Sequence, residues 1–431
     1  MRTEGTQRRT NEAELWSAGL STFVGPAHVR SATLGDAIDG VQPAAVVAPA
    51  DEREVAAVLA WCTDQDLRVS PRGGGTKSGW GNPPRAVDVV LSLERLNALI
   101  EHAAGDMTAT VQAGMSMSAF QASLSTRGQM LAMDVGDAER ATIGGVIATN
   151  DSGALRGRYG GVRDQILGIT VVRADGVIAH GGGRVVKNVA GYDLPKLYTG
   201  SLGTLGVITQ ATFRVYPLPP ESITVSATVD TCEAGGSLII SMLSATLVPT
   251  GLTLLRDPEH GLMVTAQFSG IRESVDAQVE LAQQMFRAAG TNPDLRTTNL
   301  PSSCSVRSWS ASVLLKVSVL PTEIAPTVER AIALGNQREW ATEAVIHAHG
   351  LGSITWYAGE GHAGMVESIQ ELRSSLVPRG GTVVVLDAPP DVKRELDVWG
   401  PAGDAVPLMR RVKAELDPQA TLNPGRLIGG I

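Results

Sequence analysis

The sequence predicts a mixed α+β protein with more than one domain, and three observations carry that prediction. Its 431 residues exceed the roughly 100–200 typical of one domain. Helical and strand periodicities alternate as far as Tyr216. Pro217-Leu218-Pro219-Pro220 then halts regular structure, because proline fixes φ and removes a backbone donor, and the pattern beyond it has longer, more polar helices. At 43% hydrophobic residues the chain can bury a sizeable core, which excludes wholesale disorder.

The elements follow in order. Asp51, with Glu54 three residues on, reads as a capping-box-like start. Val55, Val58, Leu59 and Cys62 then fall at i, i+3, i+4 and i+7, the spacing of an amphipathic helix. Leu67-Arg68-Val69 is a short strand that feeds Pro71 to Gly79, and Val87–Leu93 and Met107–Val111 read as further strands. Ile166–Val172 and Val177–Ala179 flank Ala174-Asp175-Gly176, a hairpin signal. From Gly206 to Tyr216, apolar and polar residues alternate as in a half-buried strand. The uncharged run Ala234–Leu255 is broken by serines, threonines, Pro249 and Gly251, so it reads as a buried helix, Ser237–Leu247, followed by a strand, and not as a membrane span. Polar helices over Arg272–Ala289 and Ala363–Leu376 and a short helix Pro407–Leu416 complete the second part.

The net charge of −8 argues against a nucleic-acid surface or an anionic-membrane patch, while leaving room for a local basic pocket and an anionic substrate. Cys62, Cys232 and Cys304 are scattered, without a CxxC, which fits a reducing compartment and lacks the thiolate set of an iron–sulfur cluster. Met1 to Thr10 is polar and shows no secretory h-region. A cytoplasmic location follows as the expectation, with any attachment to the inner face of a membrane made through partners.

Glycine concentrates in three places. Arg72-Gly73-Gly74-Gly75-Thr76-Lys77 follows a strand, and without Cβ atoms its N–H groups can converge on an anion such as a diphosphate, with Arg72 and Lys77 to balance the charge. It is not a Walker loop, since Thr76 precedes Lys77-Ser78 where that motif has glycine, and a plain surface turn is the competing reading. Ala141-Thr142-Ile143-Gly144-Gly145 through Gly153 forms the second stretch, and Gly200 through Ile208 the third. Three such stretches beside strands suit a flat, polar cofactor lined by main chain.

These segments, with Val186-Lys187-Asn188-Val189-Ala190-Gly191-Tyr192-Asp193 and the ending Leu416-Asp417-Pro418 to Leu422-Asn423-Pro424-Gly425-Arg426, resemble the FAD-binding domain of the vanillyl-alcohol oxidase/p-cresol methylhydroxylase superfamily. Within it they are most similar to the FAD-linked oxidases of 2-hydroxy acids, in particular the FAD-binding E-subunit family of glycolate oxidases. The resemblance spans roughly residues 40–220 and 345–431. It implies a two-part FAD-binding domain of the p-cresol methylhydroxylase type (1–219, rejoined by 396–431) and an α+β cap over 220–395. It further implies that Arg72, Gly73, Gly74, Gly75, Thr76 and Lys77 hold the FAD diphosphate. Thr142, Ile143, Gly144, Gly145 and Gly153 would line the ribityl and isoalloxazine region, Val207 and Ile208 would meet the adenine end through their backbone, and Asn423 would belong to the chain's return to the flavin. Relatives that tether flavin do so through a histidine in the first loop; Thr76 stands in that neighbourhood here, so FAD is expected to be non-covalent.

The implied activity is oxidation of a small 2-hydroxy acid such as glycolate or D-lactate, with hydride passing to the flavin. Electrons would leave to oxygen, a quinone, a cytochrome or a partner; a partner flavoprotein and an iron–sulfur subunit are the expected companions. The rival is a non-catalytic subunit that holds FAD within a larger dehydrogenase, and a sugar-nucleotide reductase with a related FAD domain is a weaker third. No catalytic residue is assigned by the sequence. Hydroxy-acid oxidases of this family carry His-x-Gly-Asp-Gly-Asn-x-His and a later His-Gly that bind a divalent metal. The matching stretch here has Ala348, Leu351 and Thr355 at three of those positions and Trp399 at the last, so no metal is expected. His347 and His349, at i and i+2 on one strand face, are read as a pocket or surface pair rather than metal ligands. Gly359-Glu360-Gly361-His362-Ala363-Gly364 matches the dinucleotide fingerprint literally, with Asp387 ending the next strand. Glu360 and the shortage of chain for more parallel strands favour a βαβ piece of the cap instead. No G-x-S-x-G elbow supports hydrolysis.

Overall fold

A computed structural model describes residues 15–184, 192–296, 312–359 and 361–431. Lys187 to Gly191, Cys304 and Glu360 lie outside the described residues.

Two hydrophobic cores organise the chain. The first gathers residues from Leu20 to Val215 and, from far along the chain, Leu422. It is built on two sheets. In the smaller, Val29–Ser31 runs antiparallel to Ala45–Val47, and Ala45–Val47 and Val69–Arg72 both flank Val89–Ser92 in parallel. The parallel arrangement requires a crossover, supplied by the helix Glu52–Asp64. Asp51 caps it by accepting the N–H groups of Arg53 and Glu54 (2.8 and 2.9 Å), while Glu54 reaches back to the Ala50 N–H (2.7 Å). Val55, Val58, Leu59 and Cys62 are all buried, as their spacing predicts.

The larger sheet is antiparallel, with Val207–Arg214 paired on one side to Thr108–Gln112 and on the other to Ile166–Val172, which hairpins onto Ile178–Gly182. Gly176 adopts φ +80° in that hairpin. The strand predicted over Gly206–Tyr216 as half-buried is instead closed on both faces, with Gln210 and Arg214 its less buried positions. A central strand loses its solvent face when helices cover it, and the helix Ile143–Thr149 lies across this one.

The second core runs from Val225 to Val398. Its sheet has eight strands in the order Asp294–Arg296, Glu221–Thr228, Gly261–Gly270, Gly251–Asp257, Ala341–His347, Leu351–Tyr357, Ser312–Ser318 and Thr382–Asp387, each antiparallel to its neighbours. Leu351–Tyr357 and Thr382–Asp387 are thus parallel but separated by Ser312–Ser318, a split βαβ unit around the helix Met365–Leu376 and not a nucleotide-binding sheet. The helix predicted at Ser237–Leu247 occupies Cys232–Ser244. Thr231 starts it early by accepting the Ala234 N–H at 3.1 Å, a cap worth about 1 kcal/mol.

The two faces of this sheet differ in kind. Leu252, Leu254, Val264, Ala266, Phe268, Ile346 and Trp356 face four helices and form the core. The register puts Thr253, Thr265, His347, Ser353 and Thr355 on the opposite face, where they are nevertheless buried. Among the described residues no helix is long and apolar enough to cross a membrane.

The C-terminal segment closes the molecule. Val69 N–H donates to Thr421 O (2.7 Å) and Asn423 N–H to Val69 O (3.0 Å), so the chain end extends the small sheet beside the first glycine loop. Buried Lys413 fixes it there, donating to Asp417 (2.5 Å), Thr204 O (2.7 Å) and Leu422 O (2.9 Å).

Candidate functional site

The strand Val69–Arg72 delivers the chain into the loop Gly73–Ser78, which parts from the sheet because Gly75 takes φ +73°. Among the described residues, the N–H groups of Gly73, Gly74, Gly75, Thr76 and Lys77 donate to no protein oxygen. Five successive donors left open at the mouth of a strand form an anion-binding concavity. A cavity of about 710 Å³ opens on one side, lined by the loop together with Asp36, Ser116, Glu139, Arg140 and Thr142. A narrower one, about 80 Å³, lies on the other side, between the loop, Thr142, Gly145, Thr149, Leu202 and Asn423. Asn423, at φ +43°, donates to Leu202 O at 2.7 Å and leaves its Oδ1 buried without a partner.

The glycines serve a second purpose that the sequence did not reveal. A Cβ on Gly73 would lie 2.0 Å from Thr142 Oγ1, and one on Gly74 would lie 1.7 Å from Arg140 O. The loop is therefore pressed against the Arg140–Thr142 backbone, and the absent side chains are what allow that approach.

Both cations expected to balance an anion already have carboxylate partners. Arg72 lies 2.8 Å from Asp36, and Lys77 lies 3.2 Å from Asp151. Hydrogen bonding from Arg30, reinforced by Thr33 and Arg72, holds the Asp36 carboxyl well below the usual carboxylate range despite its burial. The loop's attraction for an anion consequently rests on its N–H groups more than on free charge. These carboxylate partners are far away in sequence, which is why spacing gave no sign of them.

The other expected residues divide. Thr142 and Gly145 join the loop at the cavities, but Ile143 and Gly144 turn inward, their N–H groups donating to Met115 O (3.0 Å) and Ala113 O (2.8 Å). Gly153 packs where a Cβ would meet Asp134 Oδ2 at 2.3 Å. Val207 and Ile208 sit inside the larger sheet with buried side chains and line neither cavity, so any cofactor contact they make goes through main chain. Sequence reading missed Asp36, Ser116 and Glu139, which carry no motif, and gave Arg426 no role. That guanidinium is buried and donates to Ser78 O (2.5 Å) and to Trp80 O, tying the chain end to the far side of the loop. Burial pulls its pKa down to about 10. Lys393, fully buried, donates to Asp39 (2.6 Å) and Gly79 O and so ties the cap to the same turn. Asp387 lies against Gly79, near enough that a Cβ there would be 3.2 Å from its Oδ1, and belongs to this junction and not to a ribose site.

Beyond the loop, the helix Arg156–Tyr159 packs against the strand Gly251–Asp257 of the eight-stranded sheet, and Gly157 lies against His349. His347 ends its strand, whereas His349 sits in the following turn, where Gly350 has φ +85°; the rings still approach to 5.4 Å between centroids. Thr253 Oγ1 meets His347 Nδ1 at 2.8 Å, and His349 Nδ1 accepts the Leu351 N–H at 3.4 Å. Neither Nε2 makes a hydrogen bond of ordinary distance and angle, although the Gly153 carbonyl lies near enough to the His349 ring to favour its protonated form. Burial lowers the His347 pKa to about 3 and lowers that of His349 as well, so both rings are neutral at physiological pH. Asn150 Oδ1 is likewise buried and unpartnered. Buried polar atoms without partners are costly, and the two histidine nitrogens lie together on the cap side. Among the described residues no group of three His, Cys, Asp or Glu side chains is arranged to hold a metal ion.

A cradle of open N–H groups, flanking cavities and an orphaned asparagine oxygen suit a dinucleotide with a flat ring system, and comparison with known proteins agrees. Residues 43–182 match the FAD binding domain family. The chain is 27% identical to glycolate oxidase subunit GlcD of Bacillus subtilis, over 89% of each protein. It is 29% identical to D-lactate dehydrogenase of Archaeoglobus fulgidus, over 89% of this chain and 91% of that one. Among solved structures it superposes on p-cresol methylhydroxylase with a TM-score of 0.75 and 16% identity, over 97% of each chain. The fold and site thus define an FAD-binding oxidoreductase. Residues 43–182 are an FAD binding domain, and the chain as a whole is similar to FAD-linked oxidases and dehydrogenases of 2-hydroxy acids and has the fold of p-cresol methylhydroxylase.

Proposed function

We propose that this protein oxidises a small 2-hydroxy acid, of the glycolate or D-lactate kind, in the seam between its FAD half and its cap. The observation that carries the reading is the buried polar sheet face, with its two neutral histidines, set against the helix Arg156–Tyr159 of the FAD half. Relatives named for glycolate and D-lactate support the substrate class. When bound, FAD supplies a two-electron acceptor for an alcohol carbon. The N–H groups of Gly73 to Lys77 would hold its diphosphate, Thr142 and Gly145 would flank it, and Asn423 would offer its buried Oδ1. In the seam, Nε2–H of His349 is a neutral donor for a substrate oxygen, since its Nδ1 accepts from Leu351. The cap excludes water from that place, which strengthens each polar contact. Anaerobic mixing of the FAD-loaded chain with glycolate, D-lactate and D-2-hydroxyglutarate should bleach the flavin with at least one of them. Failure with the whole panel overturns the reading.

A second reading rests on Ala348, Leu351, Thr355 and Trp399, which place apolar or weakly ligating side chains where the hydroxy-acid oxidases resembled here carry metal ligands. On it the chain holds FAD, without metal and with little turnover of its own, beside a partner flavoprotein and an iron–sulfur subunit. Metal analysis, with activity measured before and after chelation, separates the two. A stoichiometric divalent metal with chelator-sensitive turnover sinks the second reading.

A further inference from the structure

We propose that Arg156 anchors the substrate's carboxylate, an assignment that rests on the 2-hydroxy-acid reading above. Arg156 opens the short helix Arg156–Tyr159, which packs against the cap strand Gly251–Asp257. Its position is fixed from beneath: Asp134 accepts the Leu155 N–H at 3.2 Å, and Gly153 packs on the same carboxylate. It is also fixed from the cap side, because a Cβ on Gly157 would stand 3.2 Å from His349 Cδ2. The guanidinium is close enough to His349 to disfavour protonation of that ring.

What distinguishes Arg156 is its unused capacity. Of its five N–H donors, one bond is made among the described residues, from Nη1 to Ser152 Oγ at 3.3 Å. Its Nη1 packs over Gly161, where a Cβ would stand 2.6 Å away, and the nearby Asp164 accepts the Gly161 N–H at 2.8 Å. The cations around the glycine loop are committed, Arg72 to Asp36, Lys77 to Asp151, Lys393 to Asp39 and Arg426 to two carbonyls, and Arg158, two residues on from Arg156, is exposed. This half-buried guanidinium acts on the His349 ring, which the Gly153 carbonyl also approaches, and the His347 ring with its orphaned Nε2 lies 5.4 Å beyond. One fixed positive charge next to two neutral imidazoles matches a group with one negative charge and an adjoining hydroxyl. The guanidinium fork takes the two carboxylate oxygens, and the His349 Nε2–H takes an oxygen on the hydroxyl side.

The test uses the full chain loaded with FAD. Oxalate, a carboxylate the flavin cannot oxidise, is titrated against the visible spectrum of the bound flavin in the unmodified protein, Arg156→Gln and Arg156→Lys, with neutral glycolamide as control. The anchor requires oxalate binding to weaken by about tenfold or more in Arg156→Gln, with glycolamide binding, FAD content and melting temperature unchanged. For a hydroxy acid that reduces the flavin, KM should rise by a similar factor while kcat moves little. Equal oxalate affinity in an FAD-replete Arg156→Gln overturns the anchor. If that variant does not load FAD, Arg156→Lys decides, since it keeps the charge and loses the fork: clear weakening supports the anchor and unchanged affinity overturns it. Flavin reduction indifferent to Arg156 removes the anchor alone, and Arg156-dependent carboxylate binding without flavin reduction removes the oxidation reading alone. Absence of any carboxylate binding by the unmodified protein removes both.

Discussion

Lys77 Nζ lies 3.2 Å from Asp151 Oδ2, with only 9% and 5% of the two side chains exposed. The pair joins the end of the first glycine loop to the segment that leads into the seam with the cap, and Lys77 also stands 5.7 Å from the ring centre of Trp80. Trp80 in turn packs on Leu314 and Leu386 of the cap. A cofactor loop, the residues bordering the seam and the cap are thereby coupled through one cation.

Breaking this pair should cost more than removing it. Asp151→Asn leaves a nearly buried ammonium without its counter-charge, a change of about 3 kcal/mol in comparable buried pairs. The double variant Lys77→Met/Asp151→Asn should recover much of that loss. Urea denaturation of both single variants and the double gives the coupling energy, and additive losses would show that the pair does not act as a unit.

Gly74 is constrained by the Arg140 carbonyl. Because a Cβ there would lie 1.7 Å from that oxygen, even Gly74→Ala must push the loop off its neighbour, and Gly74→Val more so. Flavin content per chain should collapse while near-ultraviolet circular dichroism from Trp340 and Trp356 in the cap core persists. Gly75→Ala meets only ordinary contacts, the nearest at 3.7 Å, but must hold φ +73°. That strain is about 1 kcal/mol, and most of the flavin should remain. Stoichiometric flavin in Gly74→Val would exclude the loop from binding.

Thr76 occupies the neighbourhood in which related proteins tether flavin through histidine, and its hydroxyl is a poor nucleophile at neutral pH. Acid precipitation should therefore release all yellow colour into the supernatant. Colour retained in the pellet would reveal a covalent link.

His347 makes stability depend on pH. Its pKa is about 3 when folded and about 6.5 when exposed, so between those values the unfolded chain binds the extra proton. Stability contributed by the neutral ring is present above pH 6.5 and is lost as pH falls toward 3, with a limiting slope of about 1.4 kcal/mol per pH unit. Asp134 acts in the opposite sense: burial raises its pKa to about 6, so the protonated carboxyl favours the folded state at low pH, and that contribution disappears as pH rises from 3.8 to 6. Urea midpoints from pH 4 to 8 should fall less steeply on the acid side in His347→Gln than in the unmodified protein, and more steeply in Asp134→Asn. Parallel curves for all three proteins would show that neither group titrates as described.

Local pattern made much of the fold legible. Ile166–Val172 and its hairpin partner follow from the Ala-Asp-Gly turn between two apolar runs, and Val55, Val58, Leu59 and Cys62 follow from helical spacing, because those signals are written within a few residues. The glycine loop was legible as a candidate anion site because a backbone that must approach an anion needs glycine at fixed neighbouring positions, and the FAD domain was legible through its resemblance to a known family.

The sequence by itself thus determined several helices and strands, the places where glycine concentrates, and the resemblance to an FAD-binding domain. Tertiary structure alone decided which charges are spent. Asp36 and Asp151 take the two loop cations, Arg140 and Thr142 fill the space left by Gly73 and Gly74, and Ile143 and Gly144 turn inward to Ala113–Met115. It also decided that His349, in the turn after a cap strand and 5.4 Å from the His347 ring, lies against the Arg156–Tyr159 helix of the FAD half. The physical reason is range: periodicity and turn chemistry act between near neighbours in the chain, whereas an ion pair or a buried orphaned nitrogen depends on groups brought together by packing two cores against each other.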